Sequence, residues 1–459
     1  GVAAALTAAA ACAACPVPEW RPQADVVTAM GDLERLAQFN DATTPAVTRV
    51  LFTDADMRAR DFLKTLMVEA GLQVREDGMG NIFGRWQGAQ PELPPVVTGS
   101  HMDAVPLSGR FDGTIGVLGA VEAVRALKRA GYTPQRSIDV LMFTSEEPTR
   151  FGLGCIGSRA MAGMLPYNFI DTLESNYPPG NADTFLEAAH AAGVGEQFKS
   201  HEQMLLDARI RKGDVHAFVE LHIEQGPNLE RHSVDIGVVT DIAGPATLAV
   251  RFKGNGGHAG GLLMPDRRDA GLAAAEFMLH VEQVVLGAGS IDAVGTTGLV
   301  QLEPGAVNSV PREAYVEVDL RDIDGDRRDM LLDTIEASAR HVSRERRVAV
   351  EMRVLNADYP ADCAPLVEDS VEWAAQALGL SHERMVSRAY HDSLFMAKVA
   401  PTGMIFIPCK DGVSHRPDEW ISDKWYKQGI EALALTLARL SGLPGCDGDA
   451  AAQGSRDEL

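Results

Sequence analysis

The stretch TGSHMDAVPLSGRFDGTIGVLGAVEAV, residues 98–124, decides how this chain folds. An apolar run leads into it and is stopped by a Gly-Ser pair, which is typical of a buried strand. His101 and Asp103 come directly after that pair, and Asp112 follows in the short turn FDGT. Apolar residues then recur at helical spacing over residues 115–127. Because open α/β sheets build their sites where strands end and helices begin, we expect these three side chains in a functional site.

The bulk composition limits the class of protein. The 459 residues allow two or three domains, and 46% hydrophobic with 23% charged residues is an ordinary globular composition. The formal net charge of −22 argues against nucleic acid or an anionic membrane as a partner, since both need a basic face. The sequence holds no run of about 18 strongly apolar residues, so we expect no membrane span. A small anionic substrate fits this charge only where arginine or lysine is placed locally.

The six cysteines do not suggest a disulfide-rich protein. They show no paired CxxC motifs and no dense framework. Cys12 and Cys15 form one CxxC in an alanine-rich stretch without histidine partners. We therefore predict neither a zinc site nor a redox motif there.

Both ends of the sequence resemble targeting signals. Residues 2–14 are almost wholly small and apolar, like the h-region of a signal peptide, and a disordered alanine-rich leader is the alternative. The last four residues, RDEL, differ from the retention signal KDEL by one basic-for-basic change. Together the two ends predict residence in the endoplasmic reticulum.

Strand and helix patterns alternate over residues 26–243, with helices expected at 26–40 and 62–70. This alternation predicts a mainly parallel sheet covered on both faces. Residues 167–203 are polar and are broken by a Pro-Pro-Gly sequence, so we expect them to be rich in loops.

A different order of elements begins after residue 243. Residues 244–357 read as β-α-β-β-α-β, the ferredoxin-like unit, and α/β features resume over residues 358–442. The fold class that we predict is α/β, with a mainly parallel catalytic domain and an inserted ferredoxin-like α+β lid or dimerisation domain. Residues 1–25 are expected to be a leader or a disordered N-terminus, and residues 443–459 a flexible tail.

Four separate segments offer metal ligands at strand ends or in loops that follow strands. They are His101 with Asp112, Glu146 with Glu147, His222, and His415. This nitrogen and oxygen set without thiolate suits Mn²⁺, Zn²⁺ or Co²⁺, and its size fits two metal ions about 3.5–4 Å apart. The glutamate pair suggests that one carboxylate binds metal while the other acts as general base, although acidic pairs at strand ends are often only solvated. Asp103 is too close to His101 to share its metal easily and better fits an orienter of that imidazole.

Several segments together resemble a known family. TGSHMDAVPLSGRFDG, FTSEEPTRFG, ELHIEQGP, GNGGHAG and AVNSVP resemble the M20 metallopeptidase-type amidohydrolases, above all the allantoate and N-carbamoyl-amino-acid amidohydrolase branch. The resemblance covers residues 46–440. Within that branch, residues 144–151 and 387–393 are similar to plant-type ureidoglycolate amidohydrolases, and Tyr390 stands where many relatives have glycine. An RDEL end and a leader agree with a plant or algal enzyme of the endoplasmic reticulum.

The resemblance implies a division of the ligands between two divalent ions, with Mn²⁺ expected and Zn²⁺ or Co²⁺ as alternatives. One ion would be held by His101, Asp112 and His222. The other would be held by Asp112, Glu147 and His415, with Asp112 bridging. Glu146 would be the general base.

The resemblance also implies a substrate pocket and a homodimer formed through the inserted domain. His258, in the loop GGHAG, would reach the partner subunit's active site and stabilise the tetrahedral oxyanion. Gln225, Asn308 and Arg321 would line the pocket, with His391 nearby.

The residues themselves support parts of this picture and leave alternatives open. Arg321 ends an alternating strand and could grip a carboxylate with two hydrogen bonds, or could instead pair with Asp322 or Asp324. Glycines around His258 allow a close approach to a ligand, but a turn residue is the alternative. Tyr390 could add bulk beside the substrate or only pack in the core.

The function that follows is hydrolysis of (S)-ureidoglycolate to glyoxylate, ammonia and carbon dioxide in ureide and purine catabolism. Allantoate or an N-carbamoyl-L-amino acid is the alternative substrate. A different class of function is an inactive family member that acts as a binding protein. The ligand set argues against that class, because no ligand position is replaced.

Overall fold

The structure is a computed structural model that describes residues 15–198 and 200–446. Cys12, most of the predicted leader and the RDEL end lie outside the described residues. The chain forms two compact units. The first comprises Gly1–Val238, Cys363–Arg384 and Phe395–Leu459, and the second comprises Val239–Asp362 and Met385–Leu394. Among the described helices, none is both long enough and apolar enough to span a membrane.

Thirteen α-helices and seventeen strands are formed by the described residues. The helices are α1 (Val26–Leu36), α2 (Asp54–Glu69), α3 (Thr114–Arg129), α4 (Ile156–Met161), α5 (Phe169–Thr172), α6 (Phe185–Ala191), α7 (His201–Ala208), α8 (Asn228–His232), α9 (Ala270–Leu286), α10 (Gly325–Arg346), α11 (Pro365–Leu378), α12 (Asp392–Met396) and α13 (Asp423–Leu440). The strands are β1 (Val47–Arg49), β2 (Gln73–Glu76), β3 (Ile82–Trp86), β4 (Val96–His101), β5 (Ala104–Ser108), β6 (Ile138–Phe143), β7 (Ala217–Ile223), β8 (Ile236–Ile242), β9 (Gly244–Lys253), β10 (Gly257–His258), β11 (Val294–Glu303), β12 (Ser309–Val310), β13 (Glu313–Asp322), β14 (Ala349–Ala357), β15 (Ala361–Asp362), β16 (His382–Ser387) and β17 (Thr402–Ile407).

A nine-stranded sheet runs in the order β15-β8-β17-β7-β4-β6-β3-β2, and β16 pairs with β8 off this path. The central strands β17, β7, β4 and β6 pair in parallel, and β3 and β2 extend the sheet antiparallel. The central strands are buried on both faces: in β4, Val96 joins one core cluster and Val97 another. Burial on both faces explains why these strands appear as continuous apolar runs that end in polar ligands.

The second unit is ferredoxin-like. Its strands lie in the order β11-β13-β9-β14, all antiparallel, and α9 and α10 pack on one face. Burial alternates strictly along β13, where Ala314, Val316, Val318 and Leu320 point into the core. The predicted fold class, a mainly parallel α/β domain with an inserted ferredoxin-like unit, is confirmed.

The predicted loop-rich segment over residues 167–203 is confirmed for most of its length, but it also contains short helices that were not predicted. This part of the chain contains α5, α6 and the start of α7, and Phe185 and Ile170 are fully buried in a core cluster of their own. Helix α6 begins with a capping box in which Thr184 and Glu187 exchange side-chain and backbone hydrogen bonds. That pattern of threonine and glutamate three residues apart is visible in the sequence and was outweighed by the polar composition.

Some observed boundaries of helices and units differ from the predicted ones. Helix α2 begins at Asp54 rather than at residue 62, since Thr53 caps it by accepting the N–H of Asp56. Residues 385–394 group with the second unit, whereas the sequence suggested that they belong to the catalytic domain. The elements β1, β2, β5, α8, β8, β10, β12 and β15 were also not predicted.

A disulfide between Cys15 and Cys446 joins segments that are 431 residues apart in the sequence. The Trp373 indole donates to the Cys15 carbonyl at 3.0 Å, and the N–H of Ala24 donates to Glu431 at 3.2 Å. Residues 15–25 and 443–446 are thus packed parts of the first unit, where the sequence suggested a leader and a flexible tail.

We expect the double variant Cys15→Ser, Cys446→Ser to unfold more easily than the wild type, by roughly 2–5 kcal/mol, because the crosslink no longer restrains the unfolded chain. Denaturant unfolding monitored by tryptophan fluorescence measures this difference. Reductant provides the control: it should destabilise the wild type to the level of the double variant and leave the double variant unchanged. Equal stability of oxidised wild type and double variant would contradict the expectation.

Candidate metal centre

The carboxyl ends of β4 and β7 bring two buried imidazoles together. His101 ends β4, His222 lies near the end of β7, and their ring centroids are 6.2 Å apart. The Nδ1 of His101 lies 3.1 Å from the Asp103 carbonyl, and the Nδ1 of His222 lies 2.9 Å from the Ile223 carbonyl. With each Nδ1 turned toward a carbonyl, each Nε2 faces Asp112, with which the two histidines form a cluster of ligand atoms within 4.8 Å.

The turn before α3 reaches these imidazoles only because it contains Gly113. This residue has a φ of +64°, and a Cβ built on it would lie 2.3 Å from Nε2 of His101. Its own N–H lies 3.2 Å from Nε2 of His222. A larger residue would be strained in its backbone and would also push the ring away.

A second cluster forms around the same carboxylate. Asp112, Glu147 and His415 also place ligand atoms within 4.8 Å of one another. Nε2 of His415 lies 2.8 Å from Asp112 Oδ2 and 3.3 Å from Glu147 Oε1. The other oxygen of Asp112, Oδ1, lies 3.2 Å from Nε2 of His222. The two oxygens of Asp112 therefore face different clusters, which is the arrangement of a bridging carboxylate.

Glu146 lies beside these clusters, and Asp103 fixes its backbone. Oε2 of Glu146 is 3.7 Å from Nε2 of His101, and the Cys155 thiol contacts Oε1 at 3.8 Å. The Asp103 carboxylate accepts the N–H groups of Glu146 at 3.3 Å and Glu147 at 2.9 Å. We predicted that the Asp103 side chain orients His101. The Asp103 carboxylate does face that ring, with Oδ1 3.5 Å from Nδ1, but the Asp103 carbonyl is the nearer acceptor at 3.1 Å, and the carboxylate also holds the glutamate pair.

The electrostatics of the clusters are those of a cation site. Hydrogen bonds to Asp112 and Glu147 raise the pKa of His415 to about 11. Burial alone would lower the pKa of His101, but the carboxylates of Glu146 and Asp103 raise it well above its ordinary value. Burial would raise the pKa of Asp112, yet hydrogen bonds from His222 and His415 hold it well below its usual range. The carboxylates thus create a strongly negative field at the imidazole nitrogens.

The donor set fits a pair of divalent cations. Imidazole nitrogens and carboxylate oxygens without thiolate are ligands that Mn²⁺, Zn²⁺ and Co²⁺ accept. Metal binding would displace the protons of the imidazoles, because only the neutral ring is a ligand. The structure therefore brings together all five metal ligands that the sequence predicted and groups them in the predicted way.

Gln225 lies against the metal centre. Its Nε2 donates to Asp112 Oδ1 at 2.9 Å and contacts Ser414 Oγ at 3.3 Å. Among the described residues, its buried Oε1 has no hydrogen-bond partner. Sequence reasoning missed Ser414 and Glu419, which accepts the N–H of Asp112 at 3.1 Å. The only sequence signal for Glu419 is its position four residues after His415.

Five predicted residues belong to the second unit, and two of them form a pair there. β10 pairs with β12, and the N–H of Ala259 donates to the Asn308 carbonyl at 2.9 Å, so His258 and Asn308 are neighbours. Nδ1 of His258 accepts the N–H groups of Gly260 and Gly261 at 3.1 and 3.2 Å. A neutral ring with an acceptor at Nδ1 carries its proton on Nε2, so the exposed edge of His258 is a hydrogen-bond donor.

Arg321 and Tyr390 form a second group. The guanidinium lies 5.8 Å from the ring centroid of Tyr390, and its Nε donates to Asp319 at 2.8 Å. The alternative that Arg321 pairs with Asp322 or Asp324 is wrong, because both carboxylates bind Arg327. His391 is buried, with Nε2 3.0 Å from the hydroxyl of Ser387.

Comparison with known proteins gives a consistent result. The sequence profile described as "Peptidase family M20/M25/M40" matches residues 97–439. The chain is similar to the ureidoglycolate hydrolase of Arabidopsis thaliana, with 52% identity over 89% of this chain and 85% of that protein. It is also similar to the N-carbamoyl-L-amino acid amidohydrolase of Geobacillus stearothermophilus, with 36% identity over 89% of this chain and 97% of that protein.

Among solved structures, the chain is similar to the crystal structure of AtUAH in complex with glyoxylate. The TM-score is 0.85 at 50% identity, and the match covers 92% of this chain and 99% of that one.

Substitutions of the adjacent residues Glu146 and Glu147 should affect metal binding differently. We expect Glu147→Gln to lower the metal content of the protein, because it removes a ligand atom of the Asp112–Glu147–His415 cluster. Glu146→Gln should retain both ions yet lose roughly 10²–10⁴-fold in kcat, because it removes a proton acceptor. Elemental analysis after dialysis, together with turnover, measures both properties. The reverse pattern of metal loss would exchange the two roles.

Proposed function

This chain belongs to peptidase family M20/M25/M40, and on that premise we propose that it hydrolyses (S)-ureidoglycolate to glyoxylate, ammonia and carbon dioxide. The observation that carries the proposal is the pair of ligand clusters that share Asp112 with Glu146 alongside. The identity of 52% to a protein named ureidoglycolate hydrolase supports this substrate over allantoate and N-carbamoyl-L-amino acids, whose named relatives are less similar.

The residues of the site divide the chemistry between them. Divalent cations bound in the two clusters supply Lewis acidity toward the ureido carbonyl and toward the attacking water. Glu146 takes one proton from that water and returns it to the leaving nitrogen as the C–N bond breaks. Asp103 keeps Glu146 in place by accepting its backbone N–H. The ureido carbonyl and its terminal amino group are released as one carbon dioxide and one ammonia, and the remaining amino alcohol loses a second ammonia to give glyoxylate.

We infer that manganese is the metal in the cell. Three carboxylates, Asp112, Glu146 and Glu147, surround the centre, and oxygen-rich sites favour Mn²⁺. The three imidazoles make Zn²⁺ and Co²⁺ the alternatives. Metal analysis of protein purified from its source without added metal would distinguish them.

Arg321 is proposed to bind the substrate carboxylate, and Tyr390 to limit the size of the group beside it. The Nε of Arg321 donates to Asp319 at 2.8 Å and its Nη1 lies 3.5 Å from the Arg388 carbonyl, so these contacts hold the guanidinium in place while Nη2 is proposed to bind the carboxylate. The Tyr390 ring lies against that guanidinium. Allantoate carries a second, bulkier ureido group where ureidoglycolate carries a hydroxyl, so a tyrosine here disfavours allantoate.

We propose that the protein is a homodimer formed through the second unit. Helix α9 exposes Leu272, Leu279 and Leu286 at seven-residue spacing, with 43, 60 and 80% of each residue accessible. This stripe lies next to β11, an edge strand with exposed Val300 and Leu302. An apolar stripe beside an unpaired strand edge suits a second copy of the same surface. In such a dimer, His258 of the partner subunit would donate its Nε2–H to the developing oxyanion.

Residence in the endoplasmic reticulum is also proposed. The disulfide between Cys15 and Cys446 supports it, because such bonds form and persist in oxidising compartments.

The wild type should turn over ureidoglycolate with a higher kcat/KM than allantoate or N-carbamoyl amino acids. Tyr390→Gly should lower the ratio of kcat/KM for ureidoglycolate to kcat/KM for allantoate, because it removes the bulk beside Arg321. Tyr359→Gly is the control, since Tyr359 stacks on a different arginine, Arg328, and should leave the preference unchanged. Steady-state kinetics on both substrates measures these ratios. A wild type that prefers allantoate would refute the substrate, and one without any turnover would favour a binding protein.

Mixed dimers test the shared active site. Neither His258→Ala nor Glu146→Gln should be appreciably active alone. Mixing them after subunit exchange should restore up to roughly a quarter of the wild-type rate, since half of randomly mixed dimers are mixed and each has one intact site. Heterodimers isolated by two affinity tags provide the sample. Heterodimers without activity would mean that His258 does not act across the interface.

A further inference from the structure

Glu419 lies where the loops that carry two predicted metal ligands meet. It is almost fully buried, with 4% of its surface exposed, and it belongs to neither ligand cluster. We propose that Glu419 is a positioning residue that sets the geometry of the cluster of Asp112, Glu147 and His415. The inference rests on the proposed function, because it assumes that this cluster binds a metal ion.

One oxygen of Glu419 holds the turn that carries Asp112. Oε1 accepts the N–H of Phe111 at 2.8 Å and that of Asp112 at 3.1 Å. The turn can come this close because residue 109 is glycine: a Cβ on Gly109 would lie 2.3 Å from Oε1. The backbone on which the bridging carboxylate stands is therefore fastened to Glu419.

The other oxygen of Glu419 holds the loop that carries His415. Oε2 accepts the hydroxyl of Ser414, the residue before the histidine, at 3.0 Å. The same hydroxyl oxygen lies 3.3 Å from Nε2 of Gln225, which donates to Asp112. Glu419 thus joins the turn of Asp112 to the loop of His415, and the Ser414 hydroxyl extends this network to Gln225.

The two ligand clusters depend on the hydrogen bonds of Glu419 to different degrees. His101 and His222 stand on buried strands and are oriented by carbonyls of their own chain segments. His415 stands in a loop with a φ of +56°, and 48% of its side chain is exposed. Among the described residues, no hydrogen bond fixes its Nδ1. The cluster that contains His415 should therefore be more sensitive to Glu419 than the cluster of the two strand histidines.

The hydrogen-bond partners of Glu419 favour a carboxylate at this position. Two backbone N–H groups and one hydroxyl all donate to it, so both of its oxygens must accept. Glutamine keeps only one acceptor oxygen, so its NH₂ group would face either the two backbone N–H groups, which cannot accept, or the Ser414 hydroxyl, which would have to accept instead of donate. Either choice weakens the hold on the two loops, because hydrogen bonds to a charged carboxylate are stronger than hydrogen bonds to a neutral amide.

The experiment is a Mn²⁺ titration of metal-depleted full-length protein by calorimetry, with elemental analysis after dialysis. The wild type should bind two ions. Glu419→Gln should lose roughly 10–100-fold in affinity for one ion and much less for the other, as is typical when a group that orients a ligand is removed. Ser414→Ala should weaken the same ion to a smaller extent, because it releases only the loop of His415.

Glu431→Gln is the matched control. Glu431 is also a buried carboxylate that accepts a backbone N–H from a distant segment, that of Ala24, and it lies on α13 away from the ligands. It should bind both ions like the wild type. Two ions bound with wild-type affinity by Glu419→Gln would overturn the positioning role. Equal weakening of both ions, with a matching loss of thermal stability in chelator, would overturn it in favour of a general structural role. A wild type that binds no ion would instead refute the metal centre and the proposed function.

Discussion

The register between β4 and β7 is the constraint on which the metal centre depends. These parallel strands pair Thr98 with Val219, and continuing that register three residues further brings His101 level with His222. A slip of one residue would turn one of the two imidazoles to the opposite face of the sheet. The apolar residues that bury both faces of β4 prevent such a slip, so the packing of the core also sets the distance between two ligands.

The centre places several ionisable groups where water is largely excluded. Asp103, Asp112, Glu146 and Glu147 are all buried. Buried carboxylates are costly unless hydrogen bonds or positive charges compensate them. Here the compensation comes from the imidazoles around Asp112 and, for Asp103, from the backbone N–H groups of Glu146 and Glu147. The network holds the ligands in position before any cation arrives, which reduces the reorganisation that binding requires.

Much of the fold and of the ligand set was accessible from the sequence, for a clear physical reason. His101, His222 and the glutamate pair each follow a continuous apolar run, and such runs mark the buried parallel strands whose ends form sites. The inserted unit was visible through the alternation of β13 and the order of its elements. His415 was found through its loop after β17, although its partners are far away in the sequence.

What the sequence did not reveal depends on contacts between distant segments. Glu419 meets Phe111 from 308 positions away, and Cys15 bonds to Cys446, so no local pattern signals either contact. The sequence placed Asp103 beside His101, where its carbonyl and its carboxylate both face the ring, but it gave no sign that the carboxylate also accepts the N–H groups of Glu146 and Glu147. The helices of residues 169–208 were hidden by polar composition, although their caps were present in the sequence.

The strand order also has a consequence for biosynthesis. β17 lies between β7 and β8, yet the whole inserted unit is translated after β8 and before β17. While the ribosome makes that intervening part, β7 and β8 have no strand between them. At about 5–20 residues per second this interval lasts on the order of ten seconds or more, long enough for unpaired apolar edges to associate with other chains. The edges of β7 and β8 that face this gap therefore stay open to mispairing until β17 emerges and pairs with both strands.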